Sequence, residues 1–438
     1  MNNKILLIGS GAREHAIAKS LKKSKTSIDL FCIASNLNPG ISNLCADIIV
    51  EDFNDLDLVV KYSKDNSISM AIIGPENPLE RGLADSLWNQ NIKVVGPPKK
   101  LAQIETSKSF ARNLLKTHEI PGCPKFKTFN SINGVKVFLS NIGDDYVIKF
   151  DGLAGGKGVK VSGDHLFNHS DALDYCNQII ASGGSFVIEE KFLGEEFSLM
   201  SFCDGNTLKH MPAVQDHKRA YDGDTGPNTG GMGTYSDANH SLPFLKEFDI
   251  KDAENINVLV FEALKKEFGE GYKGILYGGF MTTPGGVKVI EYNARFGDPE
   301  AMNVLSVLET DFFDICNAIA DGSLDRLDIK FQNKATVCKY AVPEGYPDNP
   351  IRGEEIFIFD NQNSLGEFFF ASVDLKNEKL LEGGSRTIAA VGTGSCLKKA
   401  ELIAEKKINS VKGPLFHRKD IGTGALIQKR IEHMESLK

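Results

Sequence analysis

The strongest constraint on the fold is a regular alternation of short apolar runs and helical stretches near the start of the chain. Ile5-Leu6-Leu7-Ile8 reads as a buried strand, a helix follows over 13–21, and Leu30-Phe31-Cys32-Ile33 is a second strand. A helix over 56–64, a strand at Met70-Ala71-Ile72-Ile73, a helix over 79–88 and a short strand at Val94-Val95 complete the series. Unbroken apolar runs suit strands covered on both faces, and their alternation with helices implies βαβ units around a parallel sheet. The expectation is an α/β chain whose first domain, 1–98, is doubly wound and ends at Gly96-Pro97-Pro98.

Beyond that boundary the pattern changes. A helix over 107–117 is closed by Ile120-Pro121-Gly122, and strands at 146–149 and 159–161 flank a glycine-rich segment. Further strands are expected at 186–190, 197–202, 276–282 and 287–292, with helices over 256–268 and 302–308. The stretch 216–234 is polar and glycine-rich with no helical or strand period, so it is expected to be an irregular functional loop. From about 331 a β-rich section begins, with strands at 335–342 and 388–392 and a closing helix over 397–411. At about 100–200 residues per domain, 438 residues suggest three units: 1–98, 99–330 and 331–438.

The formal net charge of −8 argues against a general nucleic-acid or acidic-membrane binder. No apolar run approaches the roughly 18 residues that cross a bilayer, and the N-terminal run is broken at once by Gly9-Ser10-Gly11, unlike a signal peptide. The eight cysteines are scattered without metal or redox spacing, which reads as free thiols in a reducing, cytoplasmic setting.

Three segments carry chemistry. Gly9-Ser10-Gly11-Ala12-Arg13-Glu14 follows a strand and opens a helix, but Glu14 stands where a dinucleotide fingerprint needs its third glycine, and no acid follows the second strand. The motif fits either an anion held by helix-start amides and Arg13 or a plain βα turn. Asp151-Gly152-Leu153-Ala154-Gly155-Gly156-Lys157-Gly158 lacks the Ser or Thr of a Walker loop, and a strand follows it. Four glycines around Lys157 favour a hairpin that folds over phosphates rather than a simple surface turn. In Glu291-Tyr292-Asn293 the first and third side chains share one face of a strand, so a carboxylate and an amide oxygen can bind Mg²⁺ together. Arg295 and Asp298 in the adjoining loop strengthen that reading over a polar strand end facing water.

Together with Gly74-Pro75-Glu76-Asn77-Pro78, Gln215-Asp216-His217-Lys218-Arg219, Thr225-Gly226-Pro227-Asn228-Thr229-Gly230-Gly231-Met232-Gly233, Arg295-Phe296-Gly297-Asp298-Pro299-Glu300 and Arg418-Lys419-Asp420-Ile421-Gly422, these segments resemble the glycinamide ribonucleotide synthetase (phosphoribosylamine–glycine ligase) family of the ATP-grasp superfamily. The resemblance covers almost the whole chain. It implies an N-terminal Rossmann-like domain, an ATP-grasp core with a mobile lid over about 122–190, and a small β-rich C-terminal domain. The activity implied is ligation of glycine to 5-phosphoribosylamine with ATP, through a glycyl phosphate, in purine synthesis. The cofactor implied is Mg²⁺ or Mn²⁺, and the partners are small molecules only, with the chain a monomer or small homo-oligomer.

By the same resemblance, Lys108, Lys149, Gly155, Gly156, Lys157 and Gly158 meet the nucleotide. Glu189, Glu190 and Phe192 lie at the adenine hinge, and Glu196 is near the ribose. Glu291 and Asn293 are the metal ligands. Gly11, Arg13, Glu14, Glu76, Lys218, Arg219, Arg295 and Asp298 hold phosphoribosylamine and glycine, and Lys157, Arg295 and Asp216 are the catalytic candidates. Another ATP-grasp carboxylate–amine ligase of purine synthesis is the alternative. A nicotinamide oxidoreductase is disfavoured by Glu14, and a non-catalytic nucleotide module by the candidate metal pair.

Overall fold

The apolar runs pair in parallel. In the computed structural model, which describes residues 3–155, 158–359 and 365–437, Asn3–Ile8 lies between Ile28–Ala34 and Met70–Ile73, with Asp47–Val50 and Lys93–Val95 at the edges. Helices such as Ala12–Lys22 and Leu56–Asp65 cover this sheet. The strand order reverses between Asn3–Ile8 and Met70–Ile73, which opens a crevice beyond their carboxyl ends, where Gly9–Glu14 and Glu76 lie. The helix expected over 79–88 is two, Glu76–Arg81 and Leu83–Trp88, because Gly82 between them has a φ of +90°.

Four antiparallel strands form a second sheet in the order Phe126–Phe129, Phe186–Glu190, Tyr146–Phe150, Val159–Val161. With helices Val135–Ile142 and His169–Ala181 it encloses a hydrophobic core of its own, including Phe129, Leu139, Ile148, Cys176 and Phe186. Facing it is a sheet of Leu208–His210, Glu195–Asp204, Lys273–Thr283 and Gly286–Asn293. The last of these strands carries a bulge: Gly279 pairs with Glu291 while Phe280 pairs with Val289, so Ile290 has no opposite number.

The stretch 216–234 is more ordered than its composition suggests. Arg219–Tyr221 and Thr225–Asn228 form a hairpin, while Gln215–Asp216 and Gly233–Ser236 join the sheet of Ala335–Pro343, Ile388–Gly394 and Glu367–Phe370. The partner of Gly233–Ser236, Ala335–Pro343, lies about a hundred residues away in sequence, and the other three strands are only two to four residues long, so no local period announces them. Helix Leu397–Ile408 packs on this sheet, and a helix that sequence did not suggest, Gly424–Ser436, ends the described chain. Among the described residues no helix is long and apolar enough to cross a membrane.

Candidate functional site

The bulged residue organises the cleft. The carbonyl of Ile290 accepts from Arg112 Nη2 at 2.6 Å and from Lys149 Nζ at 2.8 Å. Both cations also meet Glu189, Lys149 at 2.5 Å and Arg112 through Nε at 2.6 Å and Nη2 at 3.0 Å. Burial would push the Glu189 carboxyl up, but Arg112 and Lys149 outweigh it and hold the group below its ordinary value. Burial draws Lys149 down despite that carboxylate. Glu189 thus bridges the lid sheet, the helix Lys108–Thr117 and the strand Gly286–Asn293, and its carboxylate is committed to cations.

The bulge also aims Glu291 into a cleft lined by Glu196, Asp216, Lys218 and Tyr277. Burial opposes ionisation of Glu291, yet Lys218, Lys149, Lys108 and Arg295 outweigh it, so the carboxylate stays charged. Lys218 Nζ stands 3.0 Å from Glu196 Oε2, which is the main reason its ammonium is held above its ordinary range. Asp216 behaves in the opposite way: burial, then the nearby Glu300, hold its carboxyl well up. Tyr277 donates to Glu300 at 2.8 Å. Lys108 Nζ donates to the carbonyl of Gly152 at 2.5 Å, joining its helix to the start of the glycine-rich hairpin. Gly155 there has a φ of +54°, open to glycine, whereas Gly156 and Lys157 lie outside the described residues.

A second group of expected residues gathers at the N-terminal crevice. The backbone N–H of Gly11 donates to Glu14 Oε2 at 2.7 Å, and Arg13 Nε to Glu14 Oε1 at 2.6 Å. Arg13 also donates to the carbonyl of Phe296 at 3.2 Å, fixing this loop to the segment that carries Arg295. Arg295 lies between Glu76 at 3.3 Å and Glu105 at 2.8 Å. Burial raises the Glu76 carboxyl, but Arg295 and Arg13 reverse this and bring it to about 2. Asp298 accepts from the Tyr340 hydroxyl at 2.7 Å and lies 3.3 Å from Arg386.

Other candidates stand apart from these two groups. Arg219 turns to Asp164, 2.5 Å away between the strand Val159–Val161 and the helix His169–Ala181, and to the carbonyl of Gly226. Glu190 accepts from the backbone of Lys125 at 2.8 Å, and it lies with Phe192 where the lid strand leaves for Glu195–Asp204.

Sequence reasoning missed Glu105, Arg112 and Arg386. The first two carried a usable signal. Arg112 falls with Ala111, Leu114 and Leu115 on the buried face of an amphipathic helix, and Glu105 with Leu101, Ala102 and Ile104 on another. A charge on an apolar face requires a partner. Arg386, which donates to the carbonyls of Gly230 and Asp298 at 2.6 and 2.9 Å, shows no such local sign.

Among the described residues no three His, Cys, Asp or Glu side chains gather as a metal cage. Glu291 and Asn293 have the chemistry for a hard cation completed by phosphate oxygens and water: one carboxylate held ionised, one amide oxygen, neither hydrogen-bonded by its side chain to any described residue.

Two facing antiparallel sheets enclosing a half-buried carboxylate ringed by lysines, beside a parallel-sheet domain, define an ATP-grasp enzyme. Family models for phosphoribosylglycinamide synthetase match along the chain: the N domain over residues 3–105, the ATP-grasp (A) domain over 106–301 and the C domain over 336–424. The chain is 49% identical over 440 residues to the phosphoribosylamine–glycine ligase of Methanosarcina acetivorans, covering 100% of this chain and 98% of that one. It is 50% identical to the enzyme of the same name from Methanosarcina barkeri, covering 99% and 100%. The crystal structure of phosphoribosylamine–glycine ligase from Thermotoga maritima is similar at a TM-score of 0.81, with 27% identity, 95% of this chain and 99% of that chain covered. The chain belongs to the phosphoribosylglycinamide synthetase family.

Proposed function

We propose that this chain, an ATP-dependent carbon–nitrogen ligase by family, joins the glycine carboxylate to the amine of 5-phosphoribosylamine, giving glycinamide ribonucleotide, ADP and phosphate in purine synthesis. The observation that carries the reading is Glu291, a half-buried carboxylate kept charged by Lys218, Lys149, Lys108 and Arg295. Lys218, Lys149 and Arg295 are shared with Glu196, Glu189, Glu76 and Glu105, while Lys108 meets only the carbonyl of Gly152 among the described residues, so the oxygens of a triphosphate entering here would need a divalent cation at Glu291 beside these lysines.

In this reading a glycine carboxylate oxygen takes the γ-phosphoryl group of ATP, and the bond to the β-phosphate oxygen breaks to release ADP. The amine nitrogen then attacks the carbonyl carbon of glycyl phosphate, phosphate leaves, and the nitrogen gives up a proton. Positioning and charge neutralisation do most of such work, so no protein nucleophile is required. Lys108 and Lys149 meet the nucleotide, with Gly155, Gly156, Lys157 and Gly158 covering its phosphates. The segment 186–196 passes beside adenine and ribose; because the Glu189 carboxylate is committed to Arg112 and Lys149, it acts there by placing Lys149. Lys218, Arg295 and the crevice of Gly11, Arg13, Glu14 and Glu76 hold glycine and the sugar phosphate, and Asp216 faces the reacting groups.

Glu291 and Asn293 would hold Mg²⁺ or Mn²⁺, which supplies charge neutralisation at the phosphate oxygens when bound. The domain division 1–98, 99–330 and 331–438 belongs to the same reading, with 122–190 as a lid that excludes water; its separate core suits movement as a body. So does a cytoplasmic setting. Phosphate release measured with ATP and glycine, with and without freshly made phosphoribosylamine, tests the proposal. Release that depends on all three is expected, and release indifferent to phosphoribosylamine would overturn it.

A further inference from the structure

One motif is left without a role by this reading: Arg418-Lys419-Asp420-Ile421-Gly422. Arg418 is 1% exposed and heads the largest fully buried side chains of the described residues. Its guanidinium donates to Asp224 Oδ1 at 3.0 Å, to Asp420 at 2.9 and 2.7 Å, and to the carbonyl of Arg219 at 3.1 Å. Asp420 in turn accepts from the backbone N–H of Gly223 at 2.9 Å, and the N–H of Lys419 donates to Asp222 at 2.9 Å. The motif therefore grips the first strand and the turn of the hairpin Arg219–Tyr221/Thr225–Asn228. Asp224, at a φ of +63°, holds a left-handed conformation between these partners.

The helix Gly424–Ser436 extends the grip. Arg430 Nη2 stands 2.7 Å from Asp224 Oδ2, and its Nε 3.4 Å from Glu195 Oε2. His433 Nδ1 lies 2.7 Å from Glu195 Oε1. Chain order gives these contacts their meaning: Arg219 directly follows Lys218, and Glu195 directly precedes Glu196. Lys218 and Glu196 form the 3.0 Å ion pair that lines the cleft. Arg430 thus touches the residue beside Glu196 and the hairpin that begins beside Lys218. Neither Arg418 nor Arg430 lines the cleft itself.

We propose that the segment 418–433 is a positioning element for the reaction, in which Arg418 and Arg430 set the separation of Lys218 and Glu196 from behind. Arginine suits this task because its planar fork binds several acceptors in fixed directions, which a lysine ammonium does not reproduce. A segment that merely tied the C-terminus to the molecule would not need both of its arginines on Asp224. The kinetic consequence rests on the ligase reading proposed above; the structural consequence does not.

The test uses the full chain with R418K and R430Q. Amide hydrogen exchange of residues 219–229 is expected to speed up by about tenfold or more in both variants, corresponding to about 1.4 kcal/mol of lost local order, while exchange in the N-terminal sheet is unchanged. In steady-state turnover the KM for glycine or phosphoribosylamine is expected to rise about tenfold, with kcat changed by less than about threefold. Protected hairpin amides in both folded variants would overturn the proposal, whether or not the ligase reading survives. So would equally faster exchange in the N-terminal sheet, the mark of a general fold defect. Wild-type protein that exchanges as expected but releases no phosphate would sink the ligase reading alone, and R430Q, at a residue less buried than Arg418, keeps the test open should R418K not fold.

Discussion

Lys149 donates to the carbonyl of Ile290 at 2.8 Å, at the one residue of its strand that a bulge leaves without a partner across the sheet. The lid strand and the candidate metal strand are thereby joined through a charge-bearing contact one residue from Glu291. A cation buried here is costly unless every neighbour compensates it, and Glu189 and the carbonyl do so together.

The candidate metal strand gives the most direct prediction. Glu291→Ala is expected to abolish turnover and to raise the concentration of Mg²⁺ that supports any residual rate. Phosphate release titrated with Mg²⁺ measures both. A near-normal rate at ordinary Mg²⁺ would remove Glu291 from the role given to it.

Lys218→Met should lower kcat/KM by about 10²–10³, the usual cost of deleting one preorganised electrostatic contact. The ammonium stands 3.0 Å from Glu196 and is the largest cationic influence on Glu291, so the loss falls on two carboxylates at once. Steady-state kinetics with each substrate varied in turn decide the matter; a change below about threefold contradicts it.

Glu105→Ala should destabilise the fold by about 3 kcal/mol, because it strips the buried carboxylate from half-buried Arg295 and leaves the N–H of Ala294 without its acceptor at 2.7 Å. Urea unfolding followed by circular dichroism reads this directly. Glu76 remains beside Arg295 at 3.3 Å, so the protein should still fold.

Acid sensitivity should begin near neutral pH. Burial first, then Lys19, bring the His15 imidazole down to about 3, and its Nδ1 accepts from the N–H of Phe370 at 2.9 Å, which requires the neutral ring. The unfolded chain takes up a proton near 6.5 while the folded one does not, so protonation favours unfolding. Stability contributed by neutral His15 is complete above about 6.5 and falls by about 1.4 kcal/mol per pH unit below it, down to about 3. His15→Gln, which keeps an acceptor, should show a shallower decline between about pH 6.5 and 5 in urea unfolding. Equal slopes would mean that His15 takes no part.

Much of the fold was legible because its signals are local. Four-residue apolar runs, Gly96-Pro97-Pro98 and the strand residues around the glycine-rich hairpin each carry their own period or turn chemistry. The strands within 215–236 were not legible: Gly233–Ser236 has its partner Ala335–Pro343 far along the chain, and the other three, of two to four residues, are too short to show a period. At the site, Glu291, Lys218, Lys149 and Arg295 were identifiable from motifs, and they do converge. Glu105 and Arg112 were passed over although each sits on an apolar helix face, and Arg386 shows no local pattern at all.

The sequence by itself determined which residue types could meet anions and a cation, and that strands and helices would present them, because glycine turns and strand periodicity act over a few residues. Only the tertiary structure decided which charges neutralise one another. Glu189 joins Arg112 and Lys149, Glu105 joins Arg295, and Arg418 closes on Asp224 across 194 positions of the chain. Coulomb attraction depends on separation in space and on burial, and neither is written in any stretch of neighbouring residues.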